Sequence, residues 1–335
     1  MTSRHGDKVV LSCMRNEGMF LLEWVAYYRA IGFDKAVIVT NTCTDGTDLM
    51  LDRLDQMGYV RHLRNDWRGA GRPQMESLRI AREDVDDLIE AEWCLHVDSD
   101  EFLDVTCGDG HVDDLLDLTP PTEAIAIAWR LFGNNGHAIW PGGLVTENFT
   151  RARAEPAWNS CLHKSLFKAR KFSAISIHMP KHPTHPKVRQ HNTRGHAITT
   201  DSLFKPAHER HRKMDRAELT WDNAQINHYA IRSDDTFLMK NDRGAANTKG
   251  LGKYFMNSIF YLRCNRNDVE DASITRMIPR LREELAVLRE DPILHHLEQA
   301  ALHWFHDRRD RLLTPAKIAE WTAPPMDPET AEAAE

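Results

Sequence analysis

No window of this 335-residue chain approaches the roughly 20 consecutive apolar residues that a membrane-spanning helix requires. Its first eight residues are charged and carry no apolar core of the secretory kind, so the expected compartment is the cytoplasm, with any bilayer contact peripheral. Cysteine is sparse: Cys13, Cys43, Cys94, Cys107, Cys161 and Cys264 are scattered without paired spacing. That pattern fits reduced, mostly buried thiols and argues against a disulfide framework. Positive charge is also short. The 43 basic residues against 50 acidic ones leave a net charge of -7, which argues against a broad basic face for nucleic acid. The first apolar run is not followed by a glycine-rich, basic phosphate loop; Arg15-Asn16-Glu17 stands there instead. No internal repeat is present. The hydrophobic share of 41% is enough for a large core, expected as one main domain plus an appendage.

What is present is led by Trp93-Cys94-Leu95-His96-Val97-Asp98-Ser99-Asp100-Glu101-Phe102-Leu103. A short apolar run with aromatic and β-branched content reads as a buried strand, and an acidic cluster follows where that strand surfaces. In open α/β sheets, ligands bind beyond the carboxyl ends of strands. Carboxylates this close repel one another unless a cation or a solvated turn separates them. Hard cations such as Mg²⁺ and Mn²⁺ take oxygen ligands and bridge carboxylates to phosphates. A solvated acidic turn is the plainer use of an Asp-x-Asp.

Upstream, Lys8–Met14 reads as a first strand. Phe20, Leu21, Trp24, Val25, Tyr28 and Ile31 recur at helical spacing, with Gly32 as the stop. Ala36–Thr40 is a second strand running into the polar turn Asn41–Asp48. A helix from Leu49 to Met57, a strand Tyr59–Leu63 and a helix Gln74–Glu90 complete the alternation. Strands alternating with helices of this length imply βαβ units and a mainly parallel sheet. Asp45 is a natural cap for the helix after it.

The ordered set of motifs resembles the GT-A glycosyltransferases, in particular the bacterial family-2-like and family-92-like group. The residues are Arg15-Asn16-Glu17; Leu22-Glu23-Trp24-Val25-x-Tyr27-Tyr28-x-x-Ile31-Gly32-Phe33-Asp34; Asn41-x-x-x-Asp45-Gly46-Thr47; and Asp98-Ser99-Asp100-Glu101-Phe102. Trp129-Arg130-x-Phe132-Gly133-x-x-Gly136-His137, His163-Lys164-Ser165 and His228-Tyr229 follow. Together they cover about residues 8 to 245. The resemblance implies a metal-dependent, inverting transfer of sugar from a nucleotide-diphosphate sugar to a glycan or lipid-linked acceptor, in surface polysaccharide or glycoconjugate synthesis.

By that resemblance, Asn16, Glu17 and Asp45 shape the nucleotide pocket. Asp98 approaches the ribose or the metal, Asp100 ligates the metal, and Glu101 braces the site. His228 is the expected third ligand, and an imidazole favours Mn²⁺ over Mg²⁺. Lys164, Lys240 and Arg243 are candidates for the diphosphate. The loop Gly133–His137 is expected against the donor sugar or acceptor, although Gly and Asn also suit an ordinary turn. Glu147 is the candidate general base; Asn148 stands where a second carboxylate is usual, and Glu155 and Asp201 are the alternatives. His178, His182, His185, His191 and His196 lie in a stretch read as a mobile acceptor-side loop. A nucleotidyltransferase and a non-catalytic nucleotide-sugar or glycan binder are the competing classes.

The C-terminal part changes character. Helices are expected over Ile274–Leu288 and Ile293–Leu313, with Pro292 opening the second, and over Pro315–Trp321. Trp304, Phe305 and Trp321 are expected to cover the core, the other uses of such rings being an acceptor or a partner subunit. The division expected is a GT-A domain over 1–245, a helical region over 246–322 and a disordered tail over 323–335.

Overall fold

The computed structural model describes residues 4–65, 73–156, 162–206, 214–243 and 253–322. The expected tail lies outside the described residues, as do Cys161 and the side chain of Arg243. The chain opens with β1 (Lys8–Met14), α1 (Gly18–Ala30), β2 (Lys35–Thr40), α2 (Thr47–Gln56) and β3 (Val60–Arg64). Then come α3 (Pro73–Asp84), α4 (Asp86–Glu90), β4 (Trp93–His96), β5 (Glu101–Val105) and α5 (Val112–Leu118). The middle holds β6 (Ala124–Leu131), α6 (Val145–Asn148), β7 (Arg151–Ala152), β8 (His163–Phe167), β9 (Phe172–Ile175), β10 (Pro180–Pro183), β11 (Gln190–Asn192) and β12 (Ala197–Ile198). It closes with β13 (Ala224–His228), α7 (Asp234–Arg243), α8 (Ile259–Cys264), β14 (Val269–Glu270), α9 (Ile278–Arg289), α10 (Pro292–Leu312) and α11 (Pro315–Glu320).

These elements form the expected α/β structure, a large mainly parallel sheet flanked by helices with helical additions at the C-terminal side. Among the described residues the main sheet has ten strands. Its path runs β12-β11-β6-β8-β4-β1-β2-β3, and β13 joins β5 to β6. β1 lies parallel to both β2 and β4, so the carboxyl ends of β1 and β4 open on the same side. β8 runs antiparallel to β4 with Cys94 opposite Phe167 and Leu95 opposite Leu166. Continuing that register brings Lys164 level with the end of β4. β13 is antiparallel to β5 and pairs His228 with Glu101, which carries its carboxyl end to the acidic cluster.

The apolar face predicted for α1 is buried, and Trp24, Tyr27 and Tyr28 are the largest side chains in it. Both tyrosines also hold β5 in place. Tyr27 donates to the Leu103 carbonyl at 2.7 Å and Tyr28 to the Glu101 carbonyl at 3.1 Å. On the far side of α1, Ile278, Leu281, Leu285 and Leu288 of α9 and Leu294, Ala301 and Phe305 of α10 enter the same core. The C-terminal helices therefore close one face of the sheet.

Three expectations on local structure change. The single helix over Gln74–Glu90 is two, because Val85 is extended (φ -117°, ψ 101°) and drops its β-branched side chain into the core between them. The α-helix expected from Ile274 starts at Ile278, since Pro279 suits only the first turn of a helix. The histidine-bearing stretch is not an irregular loop: it supplies β10, β11 and β12. His178 is buried with its Nδ1 on the His163 carbonyl at 3.1 Å, and buried Lys181 reaches the Ser202 carbonyl at 2.6 Å.

Glu23, buried in α1, accepts from the Val145 and Thr146 backbone N–H groups at 2.7 and 2.9 Å and from the Thr146 hydroxyl at 2.9 Å. Its carboxylate thereby serves the donors that open α6. Glu23→Ala should cost about 2–4 kcal/mol in urea unfolding, because buried N–H groups lose their acceptor. Glu23→Gln should recover part of that. A neutral Glu23→Ala would show that the contact carries no stability.

Candidate active site

Four chain segments meet at the carboxyl ends of β1 and β4. The first is the turn after β1, where Asn16 takes a left-handed conformation (φ 53°) that asparagine tolerates better than most residues. Its amide donates to the Thr44 hydroxyl at 3.0 Å and its carbonyl oxygen accepts from Thr44 N–H at 2.9 Å. Asn16 thus fixes the turn after β1 to the turn after β2. Asp45 makes the second tie. One of its oxygens accepts from Gly18 N–H at 2.8 Å, and the other from the Thr47 N–H and hydroxyl at 3.0 and 2.6 Å. Both oxygens therefore serve the first residues of α1 and α2, although the N-cap position of α2 is Gly46 and Asp45 stands one residue before it.

The third segment is the acidic cluster itself. Asp98 accepts from Gln74 Nε2 at 2.7 Å and faces Lys164 Nζ at 3.3 Å. Lys164 and Glu101 are fully buried and paired at 3.1 Å. Asp100 accepts from Lys240 Nζ at 2.8 Å, and its other oxygen faces His228 Nε2 at 3.7 Å. The backbone agrees with the side chains: Tyr229 N–H donates to the Asp100 carbonyl at 2.8 Å, so His228 is held beside Asp100 by the β13–β5 ladder.

The fourth is Arg232, which sequence reasoning did not single out. It is buried, pairs with Glu17 at 3.2 Å, donates to the Ser99 carbonyl at 3.0 Å and lies 3.6 Å over the Phe20 ring. Its Nε finds no partner among the described residues. The only signal in the sequence was a charged residue ending the apolar run from Tyr229, and that also describes a strand meeting solvent.

Burial alone would raise the Asp100 carboxyl. The charges of Lys240 and Arg232, joined by His228 in acid where its imidazole is protonated, outweigh it, so Asp100 titrates well below the usual carboxylate range. Asp98 is lowered likewise, burial being outweighed by Lys164 and His96. Burial pulls Arg232 down to about 10, against the attraction of Asp100 and Glu23. Burial also pulls His228 down to about 4, so near neutral pH it is an uncharged imidazole with a lone pair to offer.

As a metal site the cluster is partial. Asp100 and His228 face each other as one carboxylate oxygen and one neutral imidazole, a pair that suits Mn²⁺. Asp98 turns instead to Gln74 and Lys164. Among the described residues no group of three or more His, Cys, Asp or Glu is disposed to hold an ion.

The remaining candidates with described side chains make their hydrogen bonds to the C-terminal region. Glu147 on α6 is bound by Arg282 of α9 through Nη2 at 2.8 and 2.9 Å. The Gly133–His137 loop is latched by the C-terminal region: Asn265 and Asn267 accept from the Asn134 and Asn135 N–H groups at 2.8 and 2.9 Å. The Asn267 side chain stands 2.4 Å from where a Cβ on Gly133 would be, so any larger residue there would displace it. Arg243 is in α7. Between the turn after β1, α7 and α10 lies an open cleft, walled by Asn16, Glu17, Arg232, Lys240 and Trp304 among others.

The fold and the site together define an α/β protein with a carboxylate cluster and its counter-cations at parallel strand ends, beside an open cleft, where such folds bind ligands. Residues 10–230 match the sequence model of glycosyltransferase family 92, and the chain belongs to that family. A glycosyltransferase family 92 protein of rice (Oryza sativa subsp. japonica) is 28% identical over 186 residues, covering 52% of this chain and 29% of that protein. One of Ricinus communis is 24% identical over 181 residues, covering 52% and 31%. The chain thus spans about a third of the length of these curated relatives. Overlap with solved structures is slight. Residues 1–349 of Staphylococcus aureus TarS, also solved in complex with UDP, give a TM-score of 0.31 at 16% identity, covering 49% of this chain and 47% of that one.

His228 gives this site a pH signature. Its pKa is lower folded, about 4, than unfolded, about 6.5, so protons favour the unfolded chain between those values. Stability present above pH 6.5 is lost as pH falls toward 4, by about 3 kcal/mol from this group. Urea midpoints across that window should fall less steeply for His228→Gln than for the wild type. Parallel curves would contradict the assignment.

Proposed function

We propose that this chain transfers a sugar from a nucleotide-diphosphate sugar to an acceptor hydroxyl, with inversion. The observation that carries the reading is the set of cations converging on Asp98 and Asp100 beside the cleft, in a chain of glycosyltransferase family 92. A diphosphate needs concentrated positive charge and fixed donors. Lys240 supplies a point charge, and Arg232, with a free Nε–H in a buried setting, supplies a planar donor. Asp100 and Glu17 hold those cations in place. Lys164 is enclosed behind Asp98 and Glu101, so its part is to keep the cluster assembled.

Asp100 and His228 are the residues that would hold a divalent cation, Mn²⁺ before Mg²⁺, and the ion would neutralise charge on the departing diphosphate. Inversion needs a base on the acceptor side to take the hydroxyl proton as the oxygen attacks the anomeric carbon. We assign that role to Glu147, whose carboxylate Arg282 orients. The acceptor class we favour is a glycan or lipid-linked glycan. Among the described residues no helix is long and apolar enough to cross a membrane, so a lipid-linked acceptor would be met at the bilayer surface.

The test is nucleotide release from UDP-, GDP-, dTDP- and CMP-sugars, with Mn²⁺ and after chelation. One donor should be turned over by the wild type, and Asp100→Asn should lower kcat/KM by about a hundredfold or more, the scale of losing one electrostatic stabiliser. Glu147→Gln should abolish transfer while leaving donor affinity unchanged. Full turnover by Asp100→Asn would overturn the site, and full transfer by Glu147→Gln would overturn the base.

A further inference from the structure

The cleft beside the acidic cluster has one wall that the family does not explain. Trp304 and Phe305 line it from α10, far beyond residue 230, where the match to the family ends. Phe305 is buried and packs into the main core, whereas Trp304 is only partly buried and rests on that core's edge. A tryptophan left with ring surface open to a cleft, opposite buried cations, has the composition of a nucleotide pocket.

The wall is held firmly. Arg308, one helical turn beyond Trp304 and on the same face of α10, clamps Asp242 of α7 in a two-pronged pair at 2.8 and 2.9 Å. Arg309, one turn beyond Phe305, reaches Asp235 at the start of α7 at 3.3 Å. The same α7 carries Lys240, two residues from Asp242. The ring and the diphosphate-side ammonium are thus spaced by one rigid pair of helices. Asn16 and Glu17, in the turn after β1, line the same cleft, and Arg232 lines it paired with Glu17.

We propose that the nucleobase of the donor stacks on the Trp304 indole, so that α10 sets nucleotide affinity from outside the family-matched part of the chain. This rests on the reading of the cleft as a nucleotide-sugar site. Phosphate charge is met at Lys240 and Arg232, and a flat, apolar ring is what the base requires at the other end. Stacking tolerates any base, so Trp304 would add affinity without choosing the nucleotide. The choice falls to the polar groups at the turns after β1 and β2.

The experiment is calorimetric titration with UDP, GDP, dTDP and CDP, then with the sugar conjugate of whichever binds, on wild type, Trp304→Leu and Trp304→Phe. Thermal unfolding confirms that each variant is folded. Trp304→Leu should weaken the free nucleoside diphosphate about tenfold or more, and Trp304→Phe should restore most of it, because a phenyl ring keeps a stacking face. Unchanged affinity in Trp304→Leu overturns the proposal and leaves the donor-site reading standing. A loss confined to the sugar conjugate also overturns it, placing the ring against the sugar. Equal losses in the leucine and phenylalanine variants assign Trp304 a packing role only. A wild type that binds none of the four nucleotides removes the donor-site reading and this inference together.

Discussion

Asp98, Asp100 and Glu101 sit within four residues at the end of a buried strand, and their mutual repulsion has to be met by cations from elsewhere in the chain. Lys164 comes from β8, Arg232 from the segment after β13 and Lys240 from α7. Each is largely withdrawn from water, which is costly for a charge unless its partner is close and well aligned. Two of the antiparallel pairings bring partners to the cluster: β8 lies antiparallel beside β4 and delivers Lys164, and β13 lies antiparallel beside β5 and leads into the segment that carries Arg232. Removing Lys164 or Lys240 would leave a buried carboxylate uncompensated, so the site and the fold around it stand together.

Much of this was legible in the sequence because the signals were periodic or local. Phe20, Trp24 and Tyr28 mark the buried face of α1 by spacing alone, and Pro292 marks the first turn of α10. The Asp-x-Asp stretch announced itself by putting charge directly after an apolar run. What the sequence withheld were pairings that depend on strand register. Nothing local says that Glu101 will be buried against Lys164, that Gln74 will bond Asp98, or that Arg232 will bridge Glu17 and Ser99. Glu147 illustrates the converse: its position at a helix start was readable, while its partner Arg282 lies 135 residues away. The histidine-rich stretch misled for a related reason, since its strands are too short to show alternation and are held by long-range contacts.

The C-terminal helices are more than a cover. α9 and α10 complete the core over α1, Asn265 and Asn267 fix the Gly133–His137 loop, and Arg308 and Arg309 fix α7. The loop that follows β6 and the helix that carries Lys240 therefore both take their positions from residues beyond the family-matched stretch. A change in the packing of α10 would reach the cluster through α7, by way of Asp242 and Lys240.

We propose that the cations which neutralise the acidic cluster also receive a diphosphate. The most direct measurement is calorimetric titration of the wild type and Lys240→Met with nucleoside diphosphates, each protein first shown to be folded. The wild type should bind a nucleoside diphosphate with an affinity that falls with added salt, and Lys240→Met should lose about tenfold or more, the scale of a charge-assisted contact to phosphate. Equal affinity in the two proteins, or no binding by the wild type, would contradict it.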